Sequence, residues 1–172
     1  MTPNKPKSAL GSPFYWQAWL TLPAVALLAI SLHADTRGEI DNLLSMKTAP
    51  EGVVFEIVSS NEDSLEWAIP AVQRYSQQLR ERFPGINLAV VSHGMEQFAL
   101  TRDGSKEYAD VHKGVESLVK KDVPVHVCST YASWHGVKDD EFAEFVDVAQ
   151  TGPSQIQLYE HEGYIRVRVR KE

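Results

Sequence analysis

Cys128 is the only cysteine in the chain, and its setting favours chemistry. It stands where the apolar run Val123-Pro124-Val125-His126-Val127 gives way to Ser129-Thr130. That pattern predicts a strand ending in a thiol, with a helix starting at the next residue. A thiol at a helix N-terminus meets unpaired N–H groups and the positive end of the helix dipole. Both favour the thiolate, which is the reactive form of cysteine. Plain packing is the alternative, because cysteine is among the most often buried residues.

The neighbours of Cys128 narrow the thiol chemistry. The six residues after it are Ser-Thr-Tyr-Ala-Ser-Trp, with neither arginine nor glycine. A phosphatase or rhodanese-like loop needs such residues to cradle an oxyanion. A single cysteine excludes a CxxC dithiol and an internal disulfide. A cysteine hydrolase would have to recruit His93 or His126, and no local motif supports one. His126 and Cys128 share one face of a strand, and with His93 or His135 they could form a ligand set. Zinc-type spacings are absent, so neither a metal nor another cofactor is expected. Trp134 and Tyr131 read as core or subunit contacts rather than a substrate platform.

Alternating elements must position these residues. Val53–Val58 reads as a strand, followed by Ser59-Ser60-Asn61. Asn61 or Ser60 can cap the next helix, which carries Leu65, Ile69, Val72, Tyr75 and Leu79 at helical spacing. Pro70 should kink that helix or restart it. Ile86–Val91 is a second strand ending in Ser92-His93-Gly94. Helical pieces follow at 96–100 and 106–120. The strand Val123–Val127 leads to a short helix, Ser129–His135, and 138–145 looks helical. Val146–Ala149, a helix over 152–161 and the strand Tyr164–Arg170 complete the chain.

This βαβαβαβαβ order predicts a three-layer α/β/α domain around a mostly parallel five-stranded sheet. Ligands of such sheets bind beyond the carboxyl ends of the strands. Three of those ends are polar here, at Ser59-Ser60-Asn61, Ser92-His93-Gly94 and Cys128-Ser129-Thr130. If the strands are neighbours, His93 and Asn61 can approach Cys128, and His93 could accept the thiol proton. As a turn residue His93 would only bond local backbone. Ser129, Thr130 and the amides of the helix start would stabilise the thiolate. In the last strand Arg166, Arg168 and Arg170 alternate with Ile165, Val167 and Val169, which reads as an edge strand with one solvated face. Pairing with acids of another subunit is the alternative for that arginine row.

The first 34 residues have a different character. Lys5 and Lys7 precede an uncharged run from Phe14 to Leu32, whose most apolar part is Leu20–Leu32. That length suits a signal peptide better than a membrane span, and Leu32-His33-Ala34 is a passable cleavage site. A retained anchor helix is the alternative. Residues 35–51 read as a linker or short leading helix, and the domain is expected over 52–172. Either form of the N-terminus places the domain in the periplasm, exported or tethered to the inner membrane. The membrane is then a partner only through segment 1–34. The formal net charge is −6, and outside that segment 15 basic residues face 23 acidic ones. An acidic domain with no basic patch argues against nucleic acid as a partner.

Several of these features occur together in one known family. They are the strand Val53–Val58 running into an Asn/Asp/Glu-rich helix start and the strand end Val90-Val91-Ser92-His93-Gly94. Val125-His126-Val127-Cys128, followed eight residues on by Gly136-Val137, and Glu162-Gly163-Tyr164 before the last strand complete the set. In order and spacing the stretch from Gly52 onward resembles the DsrE/DsrF-like (TusD-related) sulfur-relay family. The resemblance implies that Cys128 accepts sulfur as a persulfide and hands it on. It also implies a homo- or hetero-oligomer, often a trimer or hexamer, with a sulfur donor and an acceptor protein or small thiol as partners. A non-catalytic, oligomeric small-ligand or partner-binding module, in which Cys128 only packs, is the competing expectation.

Overall fold

The computed structural model describes residues 35–171, so the expected signal or anchor segment lies outside the described residues. Five strands form one sheet: β1 Gly52–Ile57, β2 Asn87–Ser92, β3 Val125–Cys128, β4 Asp147–Ala149 and β5 Tyr164–Arg168. Their order is β4-β3-β2-β1-β5, and every neighbouring pair is parallel.

The helices follow from this order. From β1 to β4 each crossover steps the same way, so right-handed connections put α2 (Leu65–Arg82), α3 (Ala109–Val119) and α4 (Ser129–Trp134) on one side. The return from β4 to β5 passes back across the sheet and puts α5 (Gly152–His161) on the other side. The two faces are unequal. Val53, Phe55, Ile57, Leu88, Val90, Val125 and Val127 meet Ile69, Val72, Leu79 and Val115 in the main core. The α5 side holds only Val54, Ala89, Val91 and Ile156, with Tyr159 and Tyr164 packed around them. Glu56, His126 and Arg168 also take positions on this face, and they matter below.

Residues 36–44 form a helix, α1, which belongs to the body of the domain. Asp35 caps it by accepting from Gly38 N, and Ile40 and Leu43 enter the core. The β5 edge is closed by α1 side chains. Arg168 N donates to Glu39 Oε2, Arg170 N donates to Thr36 Oγ1, and Thr36 Oγ1 donates to the Arg168 carbonyl. Those bonds cover backbone groups that an open edge would offer to another chain.

Two expectations about local structure change. α2 continues through Pro70 as one helix, preceded by a 3-10 turn at Glu62–Ser64. Segment 138–145 is not a helix. Only Asp139–Glu141 makes a 3-10 turn, and Phe142 then bridges Thr101. Arg102 N donates to the Glu141 carbonyl and Ala143 N to the Leu100 carbonyl. Backbone committed to a neighbouring segment cannot make helical bonds, although Phe142, Ala143 and Val146 are buried at helix-like spacing. Among the described residues no helix is long and apolar enough to cross a membrane.

Candidate functional site

Cys128 ends β3 in an extended conformation and is the N-cap of α4. The Tyr131 N–H donates to its Sγ at 3.3 Å, so the sulfur takes the capping role usually given to an oxygen. Gln97, fully buried in the 3-10 turn Met95–Leu100, holds the backbone of Cys128 from the side. Cys128 N donates to Gln97 Oε1 at 2.7 Å, and Gln97 Nε2 donates to the Cys128 carbonyl at 3.3 Å. One side-chain amide thus completes the hydrogen bonding where the strand pairing stops. Thr130 fastens the other side, its N–H and hydroxyl both donating to the Gln150 carbonyl. Ser129 is the first residue of α4 and is half-buried. Cys128 itself is only 4% exposed.

The Gln97 clamp carries a testable cost. Gln97→Leu keeps the volume but leaves a buried N–H and a buried carbonyl at Cys128 without partners. We expect urea unfolding to show a loss of about 2–3 kcal/mol, the usual penalty for such groups. A loss below about 0.5 kcal/mol would mean that another donor and acceptor replace the clamp.

A charged row crosses the sheet beside Cys128. Glu56 of β1 is buried on the α5 side, with its side chain 5% exposed. Arg168 forks onto it, Nε to Oε2 at 2.9 Å and one terminal nitrogen to Oε1 at 3.2 Å. His93 Nε2 lies 3.1 Å from Oε1. Arg166 stands 3.9 Å from Oε2 and 3.3 Å from Glu160. Burial alone would raise the Glu56 carboxyl out of its ordinary range. The hydrogen bonds from His93 and Arg168 and their charges outweigh it and bring the group down to about 2. The arginine row therefore meets acids of its own chain, with Arg170 on Glu39 completing the set.

A second carboxylate shapes the strand ends. Glu96 is fully buried and accepts from Ser59 N, Ser92 Oγ, His93 N and Gly94 N. It ties the end of β1 to the end of β2. Gly94 is required at its position because a Cβ would overlap the Ser59 backbone.

The residues named from sequence separate into two groups. His93, Cys128, Ser129 and Thr130 lie at the carboxyl ends of β2 and β3, which are neighbours. The His93 ring nitrogen, however, faces Glu56, and among the described residues no hydrogen bond joins His93 to Cys128. Asn61 is exposed and caps the 3-10 turn at 62–64, accepting from Asp63 N. His126 Nε2 pairs with the Tyr159 hydroxyl at 2.8 Å, and its Nδ1 is buried without a hydrogen-bond partner. Among the described residues no three His, Cys, Asp or Glu side chains converge as a metal site. Tyr131 stacks on Phe98, while Trp134 is 74% exposed and so is not a core residue. Glu56, Glu96 and Gln97 were not singled out in the sequence, and Arg168 was read there only as one of a row of arginines on a solvated face. For Glu56 a signal existed, since a lone acid within a fully buried strand needs a partner.

Fold and site together define a parallel five-stranded α/β domain with a helix-capping cysteine at a strand end. No family model and no curated protein matches the chain. Among solved structures the chain is similar to MTH1491 of Methanobacterium thermoautotrophicum, a protein of unknown function. The two are 28% identical over 67% of this chain and 96% of that one, with a TM-score of 0.55. That neighbour supports the fold and names no activity.

Proposed function

We propose that this domain carries a sulfane sulfur atom on Cys128, in the manner of the DsrE/DsrF-like proteins its sequence resembles. The observation behind this reading is the Tyr131 N–H aimed at Sγ from the first turn of α4. An N–H donor there strengthens its bond as negative charge builds on sulfur. The Cys128 thiolate attacks the outer sulfur of a donor such as thiosulfate. A new S–S bond forms, the donor's S–S bond breaks, and sulfite leaves with the electron pair, so Cys128 becomes a persulfide anion. An acceptor thiolate then attacks the outer sulfur, and Cys128 departs as thiolate. Segment 1–34, as a signal peptide or anchor, would place this chemistry in the periplasm, and self-association into trimers or hexamers belongs to the same reading.

One experiment tests it. The mature protein is incubated with thiosulfate or polysulfide and analysed by mass spectrometry. We expect a gain of one sulfur mass on Cys128, reversed by reductant and absent in Cys128→Ser. Failure to gain sulfur, together with alkylation no faster than that of an unstructured cysteine peptide, would sink the proposal.

The 4% exposure of Cys128 favours a second reading, an oligomeric ligand- or partner-binding module in which the thiol packs. The exposed Trp134 is a natural partner contact in that case. An unreactive Cys128 with an unchanged fold in Cys128→Ala is the outcome expected from it.

A further inference from the structure

We propose that Glu56 and Arg168 are positioning residues that hold His93 with its Nδ1 free to take the thiol proton of Cys128. The inference rests on the reading of Cys128 as a reactive thiol. Four adjacent strands contribute one residue each: Arg168 from β5, Glu56 from β1, His93 from the end of β2 and Cys128 from β3. The register pairs Glu56 with Arg168 and Ser92 with Val127. That second pair is the last between β2 and β3, so His93 and Cys128 are the next residues along these two neighbouring strands. Alternation puts all four on the α5 side, because Val53, Phe55 and Ile57 enter the opposite core.

An ionised carboxylate only accepts hydrogen bonds. Facing Glu56, the His93 Nε2 must therefore carry hydrogen, which leaves Nδ1 as the basic nitrogen of the neutral ring. Arg168 occupies both Glu56 oxygens and so prevents the carboxylate from turning away. The ring is confined from above as well. A Cβ at Gly152, in the first turn of α5, would overlap the His93 Cβ and ring. A buried ion pair is a poor stabiliser, and a well-packed apolar residue in its place is often neutral or better. What an apolar residue in its place would not supply is a fixed acceptor facing His93 Nε2, which Glu56 provides and Arg168 holds in position.

The step balances simply. The Cys128 S–H bond breaks, its electron pair stays on sulfur, and the proton bonds to His93 Nδ1. The ring becomes an imidazolium whose Nε2–H already points at Glu56. Glu56 from β1 meets His93 at Nε2 and Glu96 accepts its backbone N–H, while Arg166 and Arg168 from β5 reach the same Glu56 and Cys128 follows the last β2–β3 pair on β3.

The test reads His93 and Cys128 separately. In ¹⁵N-imidazole NMR of the full chain, neutral His93 should show hydrogen on Nε2 and none on Nδ1. Glu56→Gln removes that compulsion, since an amide can donate as well as accept, and the spectrum should become a tautomer mixture. Cys128 alkylation by iodoacetamide should slow about tenfold at pH 7, a fraction of what a positioned base contributes. The His93-dependent inflection of its pH profile should vanish in both Glu56→Gln and His93→Gln. If Glu56→Gln does not fold, Arg168→Met, altered at a half-exposed side chain, should shift the same two readouts. Hydrogen on Nδ1 in the wild-type protein, or a pH profile unchanged in the variants, overturns the proposal. Normal tautomer and pH profile without sulfur uptake would sink the sulfur reading alone.

Discussion

Glu96→Ala is expected to cost about 4 kcal/mol, close to the upper end for a single substitution. The residue is fully buried, and its carboxylate serves four donors. Ser59 N reaches Oε2 at 2.7 Å, while Ser92 Oγ, Gly94 N and His93 N reach Oε1 at 2.8, 2.9 and 3.1 Å. Alanine leaves the Ser59 N–H, the Ser92 hydroxyl and the Gly94 N–H without this acceptor, while the His93 N–H keeps the Ile57 carbonyl at 3.1 Å. Each orphaned group costs about 1–3 kcal/mol, and neighbouring losses add incompletely. For a domain of this size the melting temperature should fall by roughly 10–15 °C. Glu96→Gln keeps one acceptor oxygen but turns an N–H toward donors, so about half the loss is expected. A thermal melt within about 2 °C of wild type would show that the strand-end loops do not depend on this carboxylate.

The architecture was readable because hydrophobic runs and turn residues agree along the chain. Val53–Val58, Ile86–Val91 and Val123–Val127 are apolar enough to be interior strands, and parallel order follows from the helices between them. The arginine alternation at 166, 168 and 170 placed β5 at an edge, where it lies. Failure came where backbone answers to distant partners. Phe142, Ala143 and Val146 imitate a helix, yet their segment pairs with 100–102, which no local pattern encodes. The position of Cys128 at a strand–helix junction was visible in the types of its neighbours. What holds it was not, because Glu96 and Gln97 look like the polar face of a surface turn until the loop folds over them. Glu56 gave a warning as the single charge within β1, but its partner Arg168 lies 112 residues away in sequence. Asn61 shows the reverse case, a polar strand end used for a local cap rather than for the site.

Acid should destabilise the domain in two stages, and each stage belongs to a named residue. Burial lowers the affinity of His126 for a proton, only partly offset by Asp147. Its folded value lies below the unfolded one of about 6.5, so protonation favours the unfolded chain. Stability from this group is present above pH 6.5 and is lost as pH falls below it. The His126 Nδ1 is buried without a hydrogen-bond partner, 4.0 Å from the Asp147 Oδ2 whose charge partly offsets that burial. Glu56 supplies the second stage. Its carboxyl falls from 4.5 to about 2, burial being overcome by His93 and Arg168. A depressed carboxyl stabilises above the unfolded value and loses that contribution as pH drops from 4.5 toward 2. Arg166 and Arg168 are nearly half exposed, so solvent screening reduces the gain, and about 2 kcal/mol is expected. Urea unfolding from pH 8 to pH 2.5 should therefore decline first below 6.5 and again below 4.5. His126→Gln should flatten only the first decline, because its amide is neutral throughout, and Glu56→Gln only the second. Matching slopes in wild type and both variants would assign the acid response to other carboxylates, and with it remove the electrostatic hold of Arg168 and His93 on Glu56.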